Sequence, residues 1–389
     1  ELALQSTEGL WTLYELQSGN RHDRRKADRL WKTLLFHQFH DIISGTCIHD
    51  AVEEAAAALE AGIAECEDIR KEIYKKITVG RTENAEETGK KSDVASAITL
   101  WNPTGVTGNT VTQIELPYPV RTLGGHPVQM VTETPCVGLV KVENIPAFGF
   151  VTLRTGEKME CVVPCREHFS DTLENSRYRI LFDSQGEIIS LYDKVQQREI
   201  LRGKGNMLRA HVDRGGYFEA WDITEDIERK VYPVNQVEEM VLTEDGPVRK
   251  TLKITKQFRS SRITQWIHIY EDCPRIDFDT KADFQEKQML LKAGFDVDVD
   301  AALATYDISM GNIQRETTRN DSYEKAKFEV LTHKYMDHSE DDHGVAILND
   351  GKYGCDIKGN RMRITLIKTA GFPDESQDLG LHEFCYSLY

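Results

Sequence analysis

The sequence predicts a multidomain α and β protein, with an N-terminal helical bundle followed by a mainly antiparallel β-sandwich region. Three observations predict it. Apolar residues recur at three- and four-residue spacings up to residue 78. A polar stretch containing two glycines follows, at 79–96. From Ala97 onward, short segments alternate apolar and polar residues with period two, separated by turn residues.

The helical part comes first. Leu10, Leu13, Tyr14, Leu30, Leu34 and Leu35 form an apolar stripe. Ala51 to Ile77 is rich in Ala, Glu and Lys, and Asp50 followed by Glu53 resembles a capping box at its start. At 1.5 Å per residue such a helix is about 40 Å long and needs partners, so a bundle of two or three helices is expected. Residues 79–96 read as a linker. Phe148 to Arg154 reads as a strand. Arg177 to Asp183 and Ile188 to Lys194 read as a hairpin around Ser184–Glu187. Thr251–Phe258, Arg262–Tyr270 and Arg275–Phe284 read as a meander with a turn at Glu271–Pro274. Strands this short and this frequent signal a sandwich. The expected domains are 1–78 (helical bundle), 79–170 (linker and small β domain) and 171–389 (large β-sandwich).

Composition bounds the function. The 389 residues suggest two or three domains. Lys plus Arg is 48 against 64 for Asp plus Glu, a net charge of −16. A field of that sign repels phosphate, so no nucleic acid and no anionic membrane is expected as a partner. No apolar run approaches the ~20 residues needed to span a bilayer. The chain opens at Glu1 without a Met or a signal peptide, which reads as a piece of a longer protein. Eight cysteines lie scattered through it, a pattern of free thiols in a reducing, cytoplasmic compartment and not of a disulfide framework. Cys161-x-x-x-Cys165 has no second pair to complete a zinc site.

The densest set of candidate ligands is His37-Gln38-Phe39-His40-Asp41, followed by Ser44-Gly45-Thr46. On a continuous helix, His37, His40 and Asp41 fall within one 100° arc, with Gly45 ending the helix. Imidazole plus carboxylate suits zinc, but a closed site needs three or four converging groups. The pattern alone favours the plainer reading, a hydrogen-bonded His and Asp at a helix terminus.

The run Leu34 to Thr46 resembles the Gln-x-His-Asp block of the family 38 glycoside hydrolases, the α-mannosidases, in their bacterial and cytosolic-type branch. Further stretches resemble that branch in the same order: Tyr217–Ile223, Gly294–Asp300, Gly311–Arg315, Leu348–Gly354 and His382–Tyr389. The resemblance implies a helical middle domain followed by a galactose mutarotase-like β C-terminal region. It implies a retaining, zinc-dependent hydrolase acting on α-mannoside oligosaccharides, and admits a homo-oligomer. By the same resemblance His40 is a zinc ligand and Asp41 touches mannose hydroxyls. The nucleophile, the acid/base and the remaining ligands, a His-x-Asp pair among them, belong to an N-terminal catalytic domain. The one His-x-Asp of this sequence, His211-Val212-Asp213, lies in the β region and not in such a domain. Without that domain the chain is expected neither to hold zinc tightly nor to hydrolyse mannosides.

The β region offers further substrate contacts. The resemblance places a sugar-reaching Arg at Arg315, whose rigid fork of donors suits a hydroxyl or carboxylate. Tyr217 and Trp221, with Asp222, form a second candidate, since an aromatic face packs on the apolar face of a sugar. Other features read as bland. Phe295 to Asp300 alternates as a strand with its Asp residues on one solvated face. Ser339–His343 reads as an exposed acidic loop. Lys325-Ala326-Lys327 and Arg361-Met362-Arg363 are two isolated basic spots, too small for a nucleic-acid footprint. Two other classes stay open: a non-catalytic carbohydrate-binding β-sandwich with a helical adaptor, and an oligomerising module built on the long helix.

Overall fold

The computed structural model describes residues 1–86, 97–163, 167–271 and 273–389. It divides into two compact units, Glu1–Val163 and Pro164–Tyr389.

The first unit begins with helices α1 (Leu2–Ser18), α2 (Arg24–His37), α3 (His40–Ile43) and α4 (His49–Glu86). The α1 helix ends where Gly19 turns left-handed (φ 71°) and donates its N–H to the Glu15 carbonyl. Asp23 caps α2 by accepting from the Arg25 N–H at 3.0 Å. Along α4, Cys66, Ile69, Ile73 and Ile77 follow three- and four-residue steps and meet Leu4, Leu10 and Trp11 of α1 and Leu30 of α2 in one core. The predicted linker is partly helix, because α4 runs on to Glu86; its 38 residues make it about 57 Å long. No Gly or Pro that could halt it occurs between Gly62 and Val79. The rest of that stretch, 87–96, lies outside the described residues. Asp50 also sits inside the first turn and not before it, since α4 opens at His49, which pairs with Glu53 at 3.3 Å. A four-stranded sheet and a two-stranded one complete the unit. Trp101 and Phe150 of the latter pack against the helical core.

The second unit contains antiparallel sheets of ten, six and four strands. Ile254, Ile267 and Phe278 of the ten-stranded sheet share one core with Leu291, Phe295 and Ile364 of the six-stranded sheet. The Phe278 and Phe295 rings meet at 5.6 Å. The strand Gly380–Leu388 lies inside the ten-stranded sheet, hydrogen-bonded to Ile276–Phe284 on one side and Gly344–Asn349 on the other. The hairpin Tyr178–Phe182 with Ile188–Asp193 forms as predicted, its turn permitted by Gly186 at φ 67°. The run Phe295–Asp300 departs from expectation. The strand ends at Asp296, and the aspartates pair with arginines: Asp296 with Arg361, Asp298 with Arg198 and Arg202, Asp300 with Arg202.

A buried carboxylate next to this hairpin carries a testable consequence. Glu187, 1% exposed, accepts from Arg209 at 2.6 Å and Lys204 at 2.9 Å. Burial alone would push its pKa up; the bonds from Arg209 and Lys204 outweigh that and hold it below the usual Glu range. The contribution is therefore complete above the ordinary Glu pKa and is lost as pH falls through the depressed one. Glu187→Gln should lower stability at pH 7 by about 2 kcal/mol and flatten its fall towards pH 3. Urea unfolding across that range tests this, and a parallel acid limb in the two proteins would sink it.

Candidate functional site

The His40–Asp41 pair is presented by a break in the helix that the sequence pattern does not announce. After α2, Gln38 still bonds back to the Leu34 carbonyl, but Phe39 is extended (φ −55°, ψ 142°). The Phe39 carbonyl then accepts from Ile42 and Ile43 and starts the single turn α3. The expectation of one continuous helix is thus corrected. His37 closes α2 and is buried, whereas His40 opens α3 with its side chain 72% exposed. The three side chains do not share one helical arc. The Asp41 carboxylate lies 3.6 Å from the His40 Nε2. Ser44 and Thr46 tie off the turn, and Gly45 follows it at φ 70°.

The surroundings of this pair are apolar and exposed. Leu35, Phe36, Phe39, Ile43, Ile48 and Val52 all stand open, Phe36 at 70% and Ile43 at 61%. So much exposed hydrocarbon within eighteen residues is a mark of an interaction surface. His40 and Asp41 bring two donors suited to zinc, which is half of what a tetrahedral site takes.

In the second unit the aromatic candidates lie on the segment around the short 3₁₀ turn Gly216–Phe218. Tyr217 is 82% exposed, and Phe218 and Trp221 are more than half exposed. The Tyr217 ring meets Phe218 at 4.9 Å and Phe372 at 6.2 Å. Asp222 accepts from the Ile223 N–H at 2.9 Å. The segment is anchored from beneath. Glu219 accepts from Gln288 and from the Gly371 N–H, both at 2.6 Å, and the Ala220 N–H donates to the Phe372 carbonyl. Lys368 reaches both the buried Asp213 carboxylate and the Asp222 carbonyl. Burial pushes the Asp213 pKa up, against the pull of Lys368. Phe218 and Phe372 were not among the sequence candidates. Phe372 is remote in sequence from the turn, and no local signal links the two.

Arg315 lies on the strand Gly311–Glu316. Its guanidinium sits over the Tyr306 ring at 4.7 Å and reaches the Leu331 carbonyl at 3.4 Å. Among the described residues, no hydrogen bond or ring contact joins Arg315 to Tyr217, Trp221 or Asp222. The loop Ser339–His343 holds a closer cluster than its sequence suggested. Ligand atoms of Glu340, Asp342 and His343 lie within 4.8 Å of one another. The His343 ring is spent on Asp342 at 2.8 Å and the Asp298 carbonyl at 3.0 Å, and Glu340 N–H closes the hairpin on the His343 carbonyl. The seven described cysteines are free, and Cys165 lies outside the described residues. No helix among the described residues is long and apolar enough to cross a membrane.

Comparison with known proteins covers nearly the whole chain. The model of the glycosyl hydrolases family 38 C-terminal domain matches residues 173–376, just over half of the chain. The α-mannosidase middle domain matches residues 1–77. α-Mannosidase 2C1 of Mus musculus is 29% identical over 93% of the chain, and α-mannosidase G of Dictyostelium discoideum 28% identical over all of it. The chain spans 33% and 38% of the length of these two relatives. An α-mannosidase from Enterococcus faecalis shares the fold, with a TM-score of 0.77 at 16% identity, over 99% of this chain and 53% of that one.

Proposed function

The chain belongs to glycosyl hydrolase family 38, and from that premise we propose that it forms the middle and C-terminal part of a retaining, zinc-dependent α-mannosidase cleaving terminal α-mannosyl residues of oligosaccharides. The observation that carries this reading is the exposed His40–Asp41 pair within an apron of exposed apolar side chains. A metal ligand and a sugar contact presented on such a surface suit a site completed by another domain. The match to a middle domain at residues 1–77 supports the same view, since a middle domain has a predecessor. His40 would supply one imidazole nitrogen to the metal, and Asp41 would accept from mannose hydroxyls. The bound ion would supply Lewis-acid contact to the sugar. The nucleophile and the acid/base belong, in this reading, to the preceding domain.

Arg315, Tyr217, Trp221 and Asp222 are proposed as substrate contacts, Tyr217 and Trp221 by stacking. The exposure of both rings supports a binding role over a core one. Trp221→Ala in the full-length protein should raise KM about tenfold with a smaller change in kcat, as loss of one stacking contact of ~1–2 kcal/mol implies. An unchanged KM would remove Trp221 from the substrate contacts. Functional borders are proposed at residues 78 and 170. The cytoplasm is the proposed compartment, with the free cysteines in support.

The direct test is hydrolysis of an aryl α-mannoside, with zinc or cobalt added, by this chain and by the chain with its upstream residues restored. Activity and one tightly bound metal ion are expected in the longer protein and not in the shorter. Turnover by the shorter one, or none by either, would overturn the reading. The exposed cluster of Tyr217, Phe218, Trp221 and Phe372 favours a second reading, a non-catalytic carbohydrate-binding module. In that case glycan binding would need Trp221 and be indifferent to His40 and to zinc.

A further inference from the structure

The two basic spots that are isolated in sequence meet in space. Lys325 of the short helix Ser322–Ala326 and Arg361 and Arg363 of the strand Arg361–Thr369 line one cavity of about 980 Å³ on the outer face of the six-stranded sheet. Thr317–Asn320 form one wall and Glu225 and Glu228 the other. A volume of that order is the size of a small-molecule site. A second cavity of about 310 Å³ shares Glu228, Arg361 and Arg363 with it and runs across the sheet to Lys292 and His211. Gly294 also lines this second cavity, and a Cβ there would meet the Arg363 side chain at 3.5 Å.

The charges of the lining reverse those of the chain. Five cations face three carboxylates in the larger cavity, where the whole sequence has 48 basic against 64 acidic residues. Two of the five cations are spoken for. Arg361 forks onto Asp296 at 2.5 and 2.8 Å, and Arg363 onto Asp356 at 3.0 and 2.8 Å, with Glu228 at 2.7 Å. The other three are not. Arg319 donates to four backbone carbonyls, those of Glu316, Thr318, Lys327 and Ile357, and to no carboxylate. Lys325 and Lys358 form no ion pair among the described residues. Three uncompensated charges, one of them locked in place by the backbone, therefore border one cavity. Arg319 keeps only its Nε–H uncommitted, but its fixed positive charge and the two lysine ammonium groups together suit an oxyanion.

The inner cavity adds a different demand. His211 is 2% exposed, and its Nδ1 lies 3.0 Å from the Ile227 carbonyl, so Nδ1 carries the proton. Its Nε2 is then a bare acceptor with no partner among the described residues. A buried acceptor is satisfied by a hydroxyl and not by an anion. We infer that this cleft binds a small ligand joining a phosphate or sulfate group to a hydroxyl-bearing body, such as a hexose phosphate, with Arg319, Lys325 and Lys358 on the oxyanion. The inference does not depend on the α-mannosidase reading.

Thermal unfolding and calorimetric titration of this chain test it, with sodium phosphate, glucose 6-phosphate, glucose and sodium chloride compared at equal ionic strength. Glucose 6-phosphate should bind most tightly, phosphate less so, and glucose and chloride not measurably. Lys325→Gln/Lys358→Gln should weaken glucose 6-phosphate binding about tenfold, while Lys287→Gln, an exposed lysine elsewhere, should not. Arg319 is left intact because its carbonyl bonds hold the wall. The ligand-free melting temperature of each variant separates lost binding from lost folding. Phosphate shifts no larger than those of chloride, or equal binding by the double variant, would overturn the site. Equal binding of phosphate and glucose 6-phosphate would overturn the hydroxyl-bearing body.

Discussion

Replacing His40 with alanine in the full-length protein is expected to lower aryl α-mannoside hydrolysis by about a thousandfold, the several kcal/mol that a positioned metal contributes. Metal content per chain should fall with it. The fold should hardly notice. The ring is mostly exposed, touches Phe39 at 4.2 Å and stands 3.6 Å from Asp41, so stability should change by less than ~0.5 kcal/mol. That separation makes the result readable: activity and metal lost together at constant melting temperature assign His40 to the metal. Full activity with metal retained would exclude it. His40→Gln, which keeps the volume but not the imidazole, should behave like the alanine variant.

The largest expected effect on stability lies under the cationic cleft. Lys292 is buried at 1% exposure between Glu329 and Asp356, and Asp356, also 1% exposed, holds Lys292 at 2.8 Å and Arg363 besides. Asp356→Ala removes the anion and leaves a fully buried ammonium with half its partners, which should cost about 3–5 kcal/mol. Removing both charges is a different matter. Lys292→Met/Asp356→Leu removes that pair but leaves Glu329 and Arg363 each short of a partner, so it should recover only part of the loss. Denaturant midpoints of the three proteins decide it. A single variant within ~1 kcal/mol of the parent would mean the network is solvated and not buried.

How far the sequence speaks depends on the kind of signal. The long helix was legible because Ala, Glu and Lys at helical spacing leave few alternatives, and the hairpin at Ser184–Glu187 because Gly186 supplies the positive φ that its turn needs. The break at Phe39 was not, since neither Gly nor Pro marks it and the aromatic residue reads as one more helical apolar position. Lys292 and Asp356 were illegible for a related reason: charge in a strand reads as solvent-facing, and their burial is set by strands 64 residues apart in sequence. The same holds for Phe372 beside Tyr217 and for Lys325 beside Arg361. Local pattern identified the His40–Asp41 block and the aromatic turn as candidates. What surrounds them is written in topology.

The strand Gly380–Leu388 has a consequence for how the polypeptide comes to be folded at all. It is the piece that joins two groups of strands, one ending at Phe284 and the other starting at Leu303, into a single ten-stranded sheet. During synthesis the flanking strands Ile276–Phe284 and Gly344–Asn349 therefore wait, with open edges, until residue 388 has cleared the ribosome. Pairing of such high sequence separation is slow. The nascent chain should accordingly lean on chaperones until that strand has emerged, and arrest anywhere before Gly380 should release a protein whose second unit cannot close.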